Sequence, residues 1–292
     1  MKTLVIGGTG TVGSLVVKEL LKKAEPVRVL TTSASKGAAL PLGVEAFIGD
    51  LNHPESIVAA FKGVDRVFML NQHTLTETAQ AQNAINAAKE AGISKIVYQS
   101  IHRAHEYQEV PHIAAKVLIE KAILESGLTY TFICPNNFFQ NDFWFKEAIT
   151  QYGIYPQPIG DVGLSRIDVR DIAEVAVKAL FSPELDGVSV PVAGSEILNG
   201  QDTARIFSEQ LGLNISYAGN DLVSWAAQTK QYIAEWIVDD WTIMYRLFQQ
   251  KGIAASAEDL ALLTGVLGRA PRSYADFLSD HKPFFQSELT LA

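Results

Sequence analysis

Two hydrophobic periods alternate along the first 135 residues. Short apolar runs rich in Val, Ile and aromatic residues, "TLVIG" (3–7), "VRVLT" (27–31), "EAFIG" (45–49), "RVFML" (66–70), "KIVYQ" (95–99) and "YTFIC" (130–134), have the length and composition of buried strands. Between them, "TVGSLVVKELLKK", "PESIVAAFKG", "ETAQAQNAINAAKEAG" and "AAKVLIEKAILESG" space their apolar residues by three and four, and Gly63, Gly92 and Gly127 stand where such helices stop. Strand and helix in turn predict an α/β fold, a parallel sheet covered by helices on both faces.

After Pro135 the rhythm breaks. "NNFFQNDFWF" is aromatic-rich, and "YGIYPQPIGDVG" (152–163) is a Gly/Pro loop. A helix, "RDIAEVAVKALF", and a strand, "GVSVPVAG", restore the alternation once. From about residue 195 the pattern is helical, in three segments of which the middle one runs unbroken from 221 to 252. Two lobes are predicted: residues 1–135 with about 164–193, and a smaller, mostly helical lobe of about 136–163 with 194–292. No internal repeat or low-complexity tract interrupts them.

Charge and cysteine narrow the function classes. Against 24 Lys and Arg stand 32 Asp and Glu, a net charge of −8, with no block of like charge. That balance disfavours nucleic acid or an anionic membrane as an obligatory partner. The single cysteine, Cys134, excludes an internal disulfide framework and fits a reducing, cytoplasmic setting. The apolar start is too short for a signal-peptide core, and no window approaches the roughly 18 uninterrupted apolar residues of a membrane span.

"GGTGTVG" follows the first strand and opens the first helix. Gly7, Gly10 and Gly13 form G-x-x-G-x-x-G, and Gly8, Gly10 and Gly13 form G-x-G-x-x-G. Such a loop provides a tight turn, a place where backbone approaches a pyrophosphate, and close packing of helix on strand, while the helix N-terminus offers N–H groups to phosphate. Thr9, Thr11 and Val12 complete the predicted cradle. Without G-K-S/T, it is no mononucleotide loop. The end of strand two reads Thr31, Thr32, Ser33, Ser35, Lys36, with no acid to take a ribose 2′-hydroxyl; hydroxyls and a lysine suit a 2′-phosphate, which favours NADP(H) over NAD(H).

As an ordered set, "GGTGTVG", "GDL" (49–51), "YQS" closing strand five, "HIAAK", "CPNNFFQN" and "IDVRDIAEVAVKAL" (167–180) resemble the NmrA-like branch of the atypical short-chain dehydrogenases/reductases, and the closing "GRAPRSYADFLSDH" resembles that family's C-terminal end. The resemblance implies a Rossmann-type doubly wound sheet binding NAD(P), with a substrate cleft against the second lobe. It implies either of two functions. One is an NAD(P)H-dependent reductase of a quinone, enone, dye or imine; the other is a non-catalytic NADP(H)-binding redox sensor acting through a protein partner. A cofactor-binding lyase or isomerase is a third reading, and a homodimer is compatible with all of them.

Ordinary members of that superfamily use Tyr-x-x-x-Lys. None of the nine tyrosines here has lysine four residues on. In the corresponding place stand His112 and Lys116, one helical turn apart. The resemblance gives Lys116 the nicotinamide ribose; His112 is either a proton donor or a surface histidine. For Ser100, ending strand five, the resemblance implies the serine that polarises a substrate carbonyl; its other reading is a cap of the strand end. Asp50 and Leu51 are expected near the adenine, Pro135 and Asn136 beside the nicotinamide. "HRAHE" (102–106) has no spacing of an ordered metal site, so no metal is expected; its loop is expected to be mobile, with His102 and Tyr107 on the cleft rim. Aromatics from Phe138 to Phe145 and from Trp225 to Phe248 are candidates to line a pocket for a small, flat, apolar substrate.

Overall fold

The computed structural model describes residues 1–287; residues 288–292, the end of the predicted second lobe, lie outside the described residues. Along the chain run β1 (Thr3–Ile6), α1 (Thr11–Lys22), β2 (Val27–Thr31), α2 (Ala34–Ala38), β3 (Val44–Ile48), α3 (Pro54–Phe61), β4 (Arg66–Met69), α4 (Glu77–Glu90), β5 (Lys95–Gln99), α5 (Pro111–Ser126) and β6 (Tyr130–Pro135). Then come α6 (Lys146–Tyr152), β7 (Ile154–Tyr155), α7 (Val169–Phe181), β8 (Ser189–Val192), α8 (Gly200–Leu211), β9 (Ser216–Tyr217), α9 (Leu222–Thr229), α10 (Glu235–Lys251), α11 (Ala257–Leu267) and α12 (Tyr274–Gln286).

Each apolar run of the first half is a strand, displaced by no more than a residue at either end. Seven strands form one sheet in the order β3-β2-β1-β4-β5-β6-β8, every neighbouring pair parallel. This is the doubly wound Rossmann order with a seventh strand added. On one face Leu4, Ile6, Val67, Met69, Ile96 and Phe132 meet Ile57, Phe61, Ala84, Ile119 and Ile123 of α3, α4 and α5. Elsewhere α1 packs along α7. The edge strand β3 departs from the expected covering: Glu45, Ala46 and Ile48 are exposed.

The chain divides into two compact units, Met1–Pro135 with Val169–Val192, and Asn136–Asp168 with Ala193–Ala292. Leu164 to Asp168, which the sequence pattern placed with the first lobe, count with the second. Their backbone is the reason: Leu164 N–H donates to Leu198 O at 3.0 Å, Ser165 N–H to Ile253 O at 2.9 Å and Ile167 N–H to Asn137 O at 2.9 Å.

In the second unit the predicted helix over 221–252 is two helices. The first ends at Thr229, and Ala234, in an extended backbone with φ −55° and ψ 136°, starts the next, with no Pro or Gly between them; Lys230 spans the break, 2.8 Å from both Glu235 and Asp239. The Gly/Pro loop contains β7, which pairs in parallel with β9. At the centre of this unit Arg166 and Asp142, both fully buried, form an ion pair at 2.9 Å. The tyrosine hydroxyls of Tyr155 and Tyr274 also donate to Asp142, and Arg166 donates to Phe138 O and Asn137 Oδ1. Burial opposes the guanidinium charge most strongly, but Asp142, Tyr155 and Tyr274 together outweigh it and hold Arg166 above its ordinary value. Among the described residues, no helix is long and apolar enough to cross a membrane.

Candidate functional site

The glycine loop is shaped by contacts that side chains would break. Gly7 sits at φ +80°, and a Cβ there would lie 2.6 Å from Leu70 O. A Cβ on Gly13 would lie 2.1 Å from Gly7 O, so α1 can approach β1 only without one. Gly10 differs: its Cβ would meet Gly7 O alone, at 3.4 Å, so the protein leaves space there. Gly10 is also the N-cap of α1 and supplies no side-chain cap; the first N–H groups of the helix therefore keep their capacity for an anion. Thr9, Gly10 and Thr11 are exposed, whereas Val12 and Gly13 are buried. A cradle of this form fits a dinucleotide pyrophosphate.

At the end of β2, Thr31 is buried and its Oγ1 accepts from Ser33 N–H at 3.3 Å. Ser33 caps the short α2, accepting from Lys36 N–H at 3.2 Å, and its hydroxyl lies 2.8 Å from that of Ser35. Thr32 and Lys36 are exposed. After β3, Asp50 Oδ1 is bound locally by the backbone and amide of Asn52, at 2.8 and 3.0 Å, and Leu51 O accepts from Asn83 at 2.8 Å.

The C-terminal ends of β4 and β5 carry the strongest sign of a ligand. Ser100 Oγ, Gln99 Oε1 and both side-chain polar atoms of Asn71 are buried with no hydrogen-bond partner among the described residues. Native interiors rarely leave such groups unmet. The register Met69↔Tyr98, carried two residues on, sets Asn71 beside Ser100. Ligands of open parallel sheets bind at such strand ends; the rule that marks Ser100 applies equally to Asn71, which sequence reasoning passed over.

On α5, Lys116 and His112 take different places. Lys116 is buried, its Nζ 2.6 Å from Glu77 Oε1 at the start of α4. Glu77 was also missed: an acid in a first helical turn reads as ordinary complement to the helix dipole. His112 is half-buried, its ring 5.1 Å from that of His73 and tilted by 50°. Tyr98 stands nearby with a hydroxyl pushed well above its usual range, first by burial and then by the Glu77 charge.

The "HRAHE" segment is not the loop expected. Ala104–Glu106 is a 3-10 turn packed on α5, His105 Nε2 lies 2.8 Å from Glu120, and Arg103 pairs with Glu106 at 3.2 Å. His102 and Tyr107 are buried, not on a rim; His102 N–H extends the strand pairing to Pro135 O at 2.9 Å, and Tyr107 N–H closes the turn on Ala104 O at 3.2 Å. Pro135 closes β6. Asn136, the next residue, donates through its amide to Ile253 O at 3.0 Å. The aromatic candidates scatter: Phe139 packs on Tyr274 and Phe277, Tyr245 and Phe248 are core, and Trp144 and Tyr232 are exposed.

This sheet order and this loop define a dinucleotide-binding protein of Rossmann type. The NmrA-like family model matches residues 1–257, and the chain belongs to that family. Over 284 residues it is 32% identical to an NAD(P)H azoreductase of Xenophilus azovorans, covering 97% of this chain and 98% of that protein. Over 290 residues it is 28% identical to a (4-alkanoyl-5-oxo-2,5-dihydrofuran-3-yl)methyl phosphate reductase of Streptomyces griseus, covering 98% and 99%. The structure of an NADPH-dependent quinone oxidoreductase of Escherichia coli complexed with NADPH superposes with a TM-score of 0.86 at 21% identity, covering 95% of this chain and 99% of that one; that likeness is one of fold.

Proposed function

We propose that this chain is an NADPH-dependent reductase of a small, flat, conjugated acceptor of the quinone, enone, dye or imine type. The observation that carries the reading is the glycine cradle at the head of a sheet whose β4 and β5 ends hold unmet buried polar groups. End-to-end likeness to two reductases, one of azo compounds and one of an oxo-dihydrofuran, supports a conjugated acceptor.

Gly7, Thr9, Gly10, Thr11, Val12 and Gly13 hold the pyrophosphate, Asp50 and Leu51 the adenine, Lys116 the nicotinamide ribose, and Pro135 and Asn136 border the ring. When bound, the nicotinamide supplies the hydride. Ser100 and Asn71 orient the acceptor or the carboxamide through their unmet polar atoms. A conjugated acceptor delocalises the incoming charge, so the absence of Tyr-x-x-x-Lys does not remove turnover; positioning carries the rate. The return of a proton is assigned to His112. The buried Cys134 suits a reducing compartment.

Purified protein is expected to oxidise NADPH with at least one acceptor in a panel of quinones, azo dyes, enones and imines. Binding of NADPH with no consumption across that panel would overturn the reductase reading and leave the sensor and the lyase or isomerase. Preference for the 2′-phosphate is assigned to Thr32, Ser33 and the exposed Lys36, with no acid at the end of β2. Lys36→Glu is expected to weaken NADPH by about tenfold while changing NADH by less than about threefold; equal effects on both, measured by titration, would remove Lys36 from that role.

A further inference from the structure

Lys116 is buried beneath a partner that the sequence does not advertise. Its ammonium lies 2.6 Å from Glu77 Oε1, with the two side chains 10% and 2% exposed. It also sits over the ring of Tyr98, 5.5 Å from the centroid. Glu77 begins α4 and Lys116 lies in the second turn of α5, two helices packed against each other, so the pair joins elements that are each fixed by the sheet. A lysine ammonium is a point charge on a flexible four-carbon stem. Bonding one of its three N–H groups to a carboxylate on another helix removes that freedom before any ligand arrives and leaves two donors in a set direction.

A second observation argues against a purely stabilising pair. Glu77 Oε2 is buried with no partner among the described residues. Replacing a buried ion pair by apolar side chains of like volume is often neutral or stabilising, and an unmet oxygen adds the cost of its desolvation. Stability alone is a weak reason for such a pair; what the geometry does is hold a cation in place.

We propose that Glu77 is a positioning residue: acting through Lys116, it sets the direction of the ammonium toward the nicotinamide ribose. This rests on the ribose role given to Lys116 above. The test compares wild type, Glu77→Gln, Glu77→Ala, Lys116→Met and Glu77→Ala/Lys116→Met by calorimetric titration with NADPH, by melting of each protein without cofactor, and by kcat and KM.

Glu77→Ala is expected to weaken NADPH about 10- to 100-fold, and to raise KM for NADPH more than it lowers kcat. Glu77→Gln keeps a carbonyl for the ammonium and is expected to recover part of that loss. In the Lys116→Met background, Glu77→Ala is expected to cost less than about twofold more, because a residue that acts through Lys116 has nothing left to act on. Full NADPH affinity in Glu77→Ala, or the same factor lost in both backgrounds, would overturn the proposal. Full affinity in Lys116→Met would overturn the ribose role itself. If Glu77→Ala does not fold, Glu77→Leu/Lys116→Met, which removes both charges together, is set against Lys116→Met, and Glu77→Gln against wild type; the same outcomes decide.

Discussion

Replacing Asp142 by alanine is expected to destabilise the protein by about 3–5 kcal/mol, a fall in Tm on the order of 10 °C. Asp142 and Arg166 are fully buried, and removing the carboxylate leaves a guanidinium without its counter-charge where water cannot reach it. It also strips the acceptor from Tyr155 and Tyr274, whose hydroxyls burial already holds far above their usual range. Asp142→Asn keeps the shape and one acceptor oxygen but not the charge, and is expected to fall between the two. Replacing both charges, as in Asp142→Leu/Arg166→Met, is not expected to restore full stability, because the two tyrosine hydroxyls then have no partner. Thermal or urea unfolding measures all three. A loss below about 1 kcal/mol for Asp142→Ala would mean that the pair is not closed to solvent as described.

Two glycines of the same loop are expected to fail in different ways. Gly13→Ala forces a Cβ to within 2.1 Å of Gly7 O, so α1 must move from β1; a stability loss of about 1–3 kcal/mol and a drop in NADPH affinity of about 100-fold or more are expected together. Gly10→Ala meets only Gly7 O, at 3.4 Å. It is expected to leave the melting temperature nearly unchanged and yet weaken NADPH roughly tenfold, because its methyl enters the space where the pyrophosphate approaches. Melting curves and titration on the two variants separate packing from binding. Equal damage to stability in both would place Gly10 in the packing as well.

How much of this was legible depended on whether a feature lies in one stretch of chain. Strands β1, β2 and β5 announced themselves, since apolar runs buried on both faces leave an unmistakable pattern, and β2 and β5 begin and end where the apolar run does. The glycine loop was equally plain, being a local motif with a local cause. The break between α9 and α10 was not, because residues 230–234 leave the helix with no Pro or Gly to compel it. Glu77 and Lys116 are 39 positions apart, and Asp142 and Arg166 are 24 apart; a charge looks solvated in a sequence until the fold brings its partner. Asn71 was readable in principle, because it lies two residues past β4 as Ser100 lies one past β5. His102 and Tyr107 were misplaced for the opposite reason: a segment rich in polar residues reads as exposed loop, but strand pairing to Pro135 draws its backbone inward.

The reductase reading is tested most directly by tracing the hydride. NADPH carrying deuterium on one face or the other of nicotinamide C4 is incubated with the protein and a conjugated enone, where the label stays on carbon in the product. The expected result is deuterium in the reduced enone from one labelled face only, with turnover slowed by the label and lost in Gly10→Ala and Lys116→Met in proportion to their NADPH affinity. NADPH that binds tightly and keeps its label, with this acceptor and with quinones, azo dyes and imines consuming none of it, would contradict the account.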